Sequence, residues 1–176
     1  MTRGSIDAAA LPTPLVHPLD DNRCLVELIA AVTGEPAAAV RKQLWDEERD
    51  LGKHHREDFA RQGLTPHIWD DRLERYYREV SVWLPSYAVW NRHPEKLKMR
   101  AWIGSYLASR SAGGLRVLTV GDGAGFDSLY LAQCGHQVSY WELSERAVAF
   151  ATRIFRLGNQ PVEVIGDTAE LAGESY

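Results

Sequence analysis

Residues 116–125 read Arg116-Val-Leu-Thr-Val-Gly-Asp-Gly-Ala-Gly125, and this stretch decides the fold class. An apolar run of strand length, residues 116–120, passes directly into a turn with glycines at 121, 123 and 125. Such a run, bounded by turn residues, predicts a buried strand. Glycine has no Cβ, so the backbone turns sharply there and a ligand can approach it closely. Outward from this turn, residues 126–134 read as a helix stopped by Gly135, and residues 137–142 as a second strand. Ser144 caps a further helix that carries Val148, Ala151, Ile154 and Phe155 and ends at Gly158-Asn159. Residues 161–165 read as a third strand. Strands alternating with helices predict an α/β fold with a parallel sheet. We expect strand order 3-2-1, right-handed crossovers and helices on both faces.

Upstream of the strand the pattern is helical. Residues 1–19, with Pro12, Pro14 and Pro18, read as an irregular or disordered lead-in. Residues 20–112 read as a helical segment of four helices. Asp20 or Asp21 caps the first, which carries Leu25, Leu28, Ile29 and Val32 and stops at Gly34. Pro36 opens the second, with Val40, Leu44, Trp45 and Leu51 inward, and Gly52 ends or bends it. The third runs from about Pro66 or Asp70 toward Trp83, with Trp69, Leu73, Tyr76, Tyr77, Val80 and Leu84 at helical spacing, and Pro85 interrupts it. The fourth starts near Pro94 and ends at Gly113-Gly114. Its stripe of Met99, Trp102, Ile103, Tyr106 and Leu107 is expected to be buried against the strand-bearing part.

Composition narrows the function classes. Of the 176 residues 45% are hydrophobic, enough to bury a core. The formal net charge is −4, which points away from nucleic acid and anionic membranes. The deficit lies wholly in residues 112–176, with four basic against eight acidic residues. No run approaches a membrane span, and residues 1–10 do not read as a signal peptide. Cys24 and Cys134 show no metal spacing and no disulfide framework, so no metal is expected, and a reducing cytoplasm fits.

Two acids follow the strands. Glu142 ends the second strand, where a carboxylate can accept from both hydroxyls of a ribose. Asp167 follows the third, in Gly166-Asp167-Thr168, where it can accept from an adenine amino group. A glycine turn and a strand-end acid occur in other doubly wound nucleotide folds too. The dinucleotide spacing needs a glycine at 126, where Phe126 stands. Through Val117-Leu-Thr-Val-Gly-Asp-Gly-Ala-Gly125, Tyr140-Trp-Glu-Leu-Ser144 and Gly166-Asp-Thr168, residues 100–176 resemble the class I S-adenosylmethionine-dependent methyltransferases. The resemblance implies that residues 113–176 form the first half of a Rossmann-like domain binding S-adenosyl-L-methionine. It implies that Gly121, Gly123 and Gly125 lie at the methionine and ribose, with Asp122 among the cofactor-binding residues, that Glu142 binds the ribose diol, and that Leu143 packs on adenine. Asp167 and Thr168 would read the adenine edge. One departure is Thr119, where that family usually has an acid; Asp122 stands nearby inside the turn.

The helical segment offers further candidates. His54, His55 and His93 suit acid–base work or plain exposure, and the aromatic run 69–90 suits a substrate pocket or ordinary core. Arg92, Lys96, Lys98 and Arg100 read as a solvated helix face. Residues 174–176 resemble the approach to a fourth strand. We therefore expect the catalytic residues to lie outside these 176 and the first strand to present an open edge, covered by a missing C-terminal half or a second chain. The function expected is methyl transfer to a small-molecule acceptor. The alternative is a cofactor-binding or scaffolding half-domain without activity of its own.

Overall fold

Helix starts follow the capping side chains. Asp21 accepts from the backbone N–H of Arg23 and Cys24, Asp70 from Leu73, and Ser144 from Ala147, so each supplies a partner to a first-turn donor. A computed structural model describes residues 11–80, 82–111, 113–167 and 169. Thr168, residues 1–10 and the run 174–176 lie outside them. The described residues form eight helices and a three-stranded parallel sheet. Six helices come first: α1 Asn22–Thr33, α2 Ala37–Arg49, α3 Lys53–Gln62, α4 Asp71–Glu79, α5 Trp83–Arg92 and α6 Pro94–Arg110. There follow β1 Arg116–Val120, α7 Phe126–Gln133, β2 Gln137–Trp141, α8 Glu145–Leu157 and β3 Glu163–Val164.

The sheet order is β1-β2-β3, with β2 in the middle. The expected list, 3-2-1, names the same neighbours from the opposite edge. Register runs from Arg116 beside Gln137 to Val120 beside Trp141, and Ser139 lies beside Glu163. One hydrophobic cluster joins Leu25, Ile29, Val40 and Leu84 of the helical segment to Phe126, Leu129, Val138, Tyr140, Phe150 and Ile154. The lead-in is irregular over 11–20 but docked: Val16 and Leu19 are buried, and the Leu19 and Pro14 carbonyls accept from Arg92 and Arg100.

The helical segment departs from expectation in four ways. Lys53–Gln62 is an additional helix. The expected third helix is two, α4 and α5, parted at Val80; Pro85 is the third residue of α5, where no intrahelical N–H partner is needed. Trp45 and Leu51 face outward rather than inward. On α6 the expected buried stripe is largely on the surface: Met99, Trp102 and Tyr106 are 50%, 68% and 50% exposed. The face turned inward carries Arg100 and Gly104, with Ile103 and Leu107 of the stripe half-buried against the core beside them. Arg100, read as solvated, is 1% exposed, because three acceptors reach its guanidinium: Asp127 Oδ1, the Pro14 carbonyl and Asn91 Oδ1. Gly104 lets the Tyr130 ring close in; a Cβ there would lie 2.6 Å from its Oη.

Candidate functional site

The turn from β1 to α7 is built from both sides. The Gly121 N–H donates to the Trp141 carbonyl at 3.0 Å, so the turn stays tied to the end of β2. Gly121 has φ +68°, and nothing lies within 4 Å of where its Cβ would be. The other two glycines serve packing. A Cβ at Gly123 would come within 2.8 Å of the Tyr87 ring, and one at Gly125 within 2.7 Å of the Ala151 Cβ. Gly121 is thus the turn glycine that faces open space.

Glu142 stands one residue beyond β2. Its Oε2 accepts from the Gly123 N–H at 2.8 Å and its Oε1 from the Ser144 N–H at 3.0 Å. The carboxylate therefore braces the glycine turn against the start of α8. A carboxylate offers about four lone-pair sites, so two remain for a ligand. Continuing the β2–β3 register brings Leu143 and Asp167 out at the same end of the sheet. Asp167 is exposed, and its Oδ1 accepts from the Ala169 N–H at 2.9 Å.

Asp122 does different work. Its carboxylate accepts from the Asp127 N–H at 3.3 Å, the Ser128 N–H at 2.8 Å and the Ser128 hydroxyl at 2.6 Å. It thereby holds the start of α7. Burial, reinforced by the neighbouring Asp127 charge, pushes its pKa up to about 7, against the pull of the Ser128 bonds. Thr119 Oγ1 lies 2.7 Å from the same Ser128 hydroxyl. Thr119, Ser128 and Asp122 so form one hydrogen-bonded chain beneath the turn.

Two tyrosines hold the turn without any local sequence signal. The Tyr140 hydroxyl donates to the Gly123 carbonyl at 2.6 Å from a fully buried position, and that burial raises its pKa strongly. In the sequence Tyr140 stands out only as the start of Tyr140-Trp-Glu-Leu-Ser144, and nothing there marks its hydroxyl as a donor to the turn. Tyr87 lies on Gly123 from α5 and stacks on Trp83 at 6.0 Å, which stacks on Tyr77 at 5.3 Å. The aromatic run thus splits: Trp69 lies at the surface, while Tyr87 reaches the glycine turn.

A cavity of about 590 Å³ opens beside the turn. Gly121, Asp122 and Gly123 line it, together with Tyr87, Lys96 and Arg100. Lys96, also expected in solvent, is largely buried, its Nζ 2.5 Å from Asp127 Oδ2. Glu142, Leu143 and Asp167 are not among the cavity's lining residues.

The histidines are mainly structural. His54 Nδ1 lies 2.8 Å from Oε1 of Glu47. Burial opposes the Glu47 charge, but bonds from Ser86, Gly52 and His54 outweigh it and lower the pKa. His55 packs edge-on against Trp83, and burial lowers its pKa. His93 accepts from the Glu95 N–H and caps α6. Among the described residues no group of three or more acidic, histidine or cysteine side chains is placed to hold a metal, and no helix is long and apolar enough to cross a membrane. Comparison of the chain with family models, with curated proteins and with solved structures returned no match.

Proposed function

We propose that this chain binds S-adenosyl-L-methionine across the ends of β1, β2 and β3 in a Rossmann-like arrangement. On this reading it supplies the cofactor-binding half of a class I methyltransferase acting on a small-molecule acceptor. The observation that carries the reading is the coupling of Glu142 to the glycine turn: one carboxylate bonds Gly123 and keeps two acceptor sites for a ribose diol. Open space at Gly121 and the adjoining cavity fit a ligand lying close to the backbone. When bound, the sulfonium supplies an already activated methyl group, so orientation is the chief demand on the protein. Leu143 would flank the adenine and Asp167 would accept from its amino group. Tyr87, packed on Gly123, would keep water from one side of the turn.

Calorimetric titration with S-adenosylhomocysteine tests this on the 176-residue chain and on Glu142→Ala and Glu142→Gln. Loss of charge-assisted bonds to the diol is expected to weaken binding about 10- to 100-fold in Glu142→Ala, with a smaller loss in Glu142→Gln. Equal affinity in folded variants would move the ribose elsewhere.

A further inference from the structure

Lys96 is in the first turn of α6, and Asp127 in the first turn of α7, directly after the glycine turn. Their ion pair brings the lysine to that turn, at the edge of the 590 Å³ cavity. An ammonium has three donors, and Asp127 Oδ2 takes one. Arg100, beside it, is committed to Asp127, Pro14 and Asn91. Two cations therefore share the Asp127 carboxylate, while the neighbouring Asp122 is tied to the Ser128 donors with its charge disfavoured by burial, so in this partly desolvated setting an added anion is favoured. A phosphate at a glycine turn is commonly held by several converging backbone N–H groups. Here the Gly121 and Gly123 N–H groups are already taken, by the Trp141 carbonyl and Glu142. The arrangement suits a single negative charge.

We infer that Lys96 seats a carboxylate at the rim of the glycine turn. Two ligands can bring that group: the amino-acid end of the adenosyl cofactor, or the acceptor. The first source rests on the function proposed above; the second does not. The test is calorimetry on the full chain, its Lys96→Gln and Lys96→Arg variants, and Lys98→Gln as an exposed control. The probes are S-adenosylhomocysteine, 5′-methylthioadenosine, which lacks the amino-acid group, and phenylacetate. With the cofactor as source, Lys96→Gln weakens S-adenosylhomocysteine about 10- to 100-fold, leaves 5′-methylthioadenosine unchanged, and Lys96→Arg restores most of the loss. With the acceptor as source, the loss is confined to phenylacetate. Should Lys96→Gln not fold, the unmutated chain decides: it must bind S-adenosylhomocysteine at least tenfold tighter than its carboxyl methyl ester, or bind phenylacetate in preference to phenylacetamide. Wild-type affinity of folded Lys96→Gln for all three probes overturns the inference, as does the absence of both preferences in the unmutated chain. Failure of both adenosyl compounds to bind the unmutated chain, with phenylacetate still bound through Lys96, would sink the cofactor reading alone.

Discussion

Helices α6 and α8 carry similar apolar stripes, but α8 buries the whole of its stripe and α6 only part. On α8, Ala147, Phe150, Ala151, Ile154 and Phe155 are all buried, and helical spacing alone locates the core face. On α6 the aromatic residues stand in solvent, where Trp102 and Tyr106 stack on each other at 5.7 Å, while an arginine and a glycine face inward beside the half-buried Ile103 and Leu107. Periodicity reports which residues share a face; it does not report which face has partners. Arg100 is tolerated inside because Asp127, Asn91 and Pro14 together replace its water.

The comparison is broken most forcefully at Arg100. Arg100→Met is expected to cost about 3–5 kcal/mol, because the Pro14 carbonyl and the buried Asn91 Oδ1 lose their donor and partly buried Asp127 keeps only Lys96. Urea unfolding measures it, and a loss below that of an exposed pair such as Lys98–Glu95 would show the inward face to be misassigned. Gly104→Val should cost about 1–3 kcal/mol by forcing Tyr130 away, with the melting temperature as readout. Beneath the glycine turn the sign of a pH effect is fixed. The folded pKa of Asp122 is raised from 3.8 to about 7, so its stabilising contribution is fully present below pH 4 and fades as pH rises through 7. Unfolding free energies at pH 5 and pH 8 should differ on the order of 1 kcal/mol more in the unmutated chain than in Asp122→Asn. The smallest effect belongs to the largest side chain: Trp102→Ser should change stability by less than about 0.5 kcal/mol.

The α/β part was legible because its signals are local. An apolar run next to glycines marks β1 and its turn, and Glu142 is identified by its place at a strand end. In α3, Lys53–Gln62, Phe59 is the one buried apolar residue, too few to display a period. The break between α4 and α5 was hidden because Tyr76, Tyr77, Val80 and Trp83 join one aromatic cluster from two helices and so keep nearly helical spacing across the gap. Within the site, what escaped is long-range. Tyr140 meets Gly123 across 17 residues and Lys96 meets Asp127 across 31, and no spacing rule links them. Asp122 reads as a cofactor contact because it stands inside the turn and it does line the cavity; its bonds to the α7 donors are visible only in the geometry.

The account depends on the glycine turn and Glu142 acting as one adenosyl-binding unit. Amide chemical shifts of the nitrogen-15-labelled chain, followed during titration with S-adenosylhomocysteine, test that most directly. The Gly121, Gly123 and Leu143 amides are expected to move together along one saturable curve, while Trp102 and Tyr106 on α6 stay fixed. No saturable change at the turn, or shifts centred on a distant surface, would contradict it.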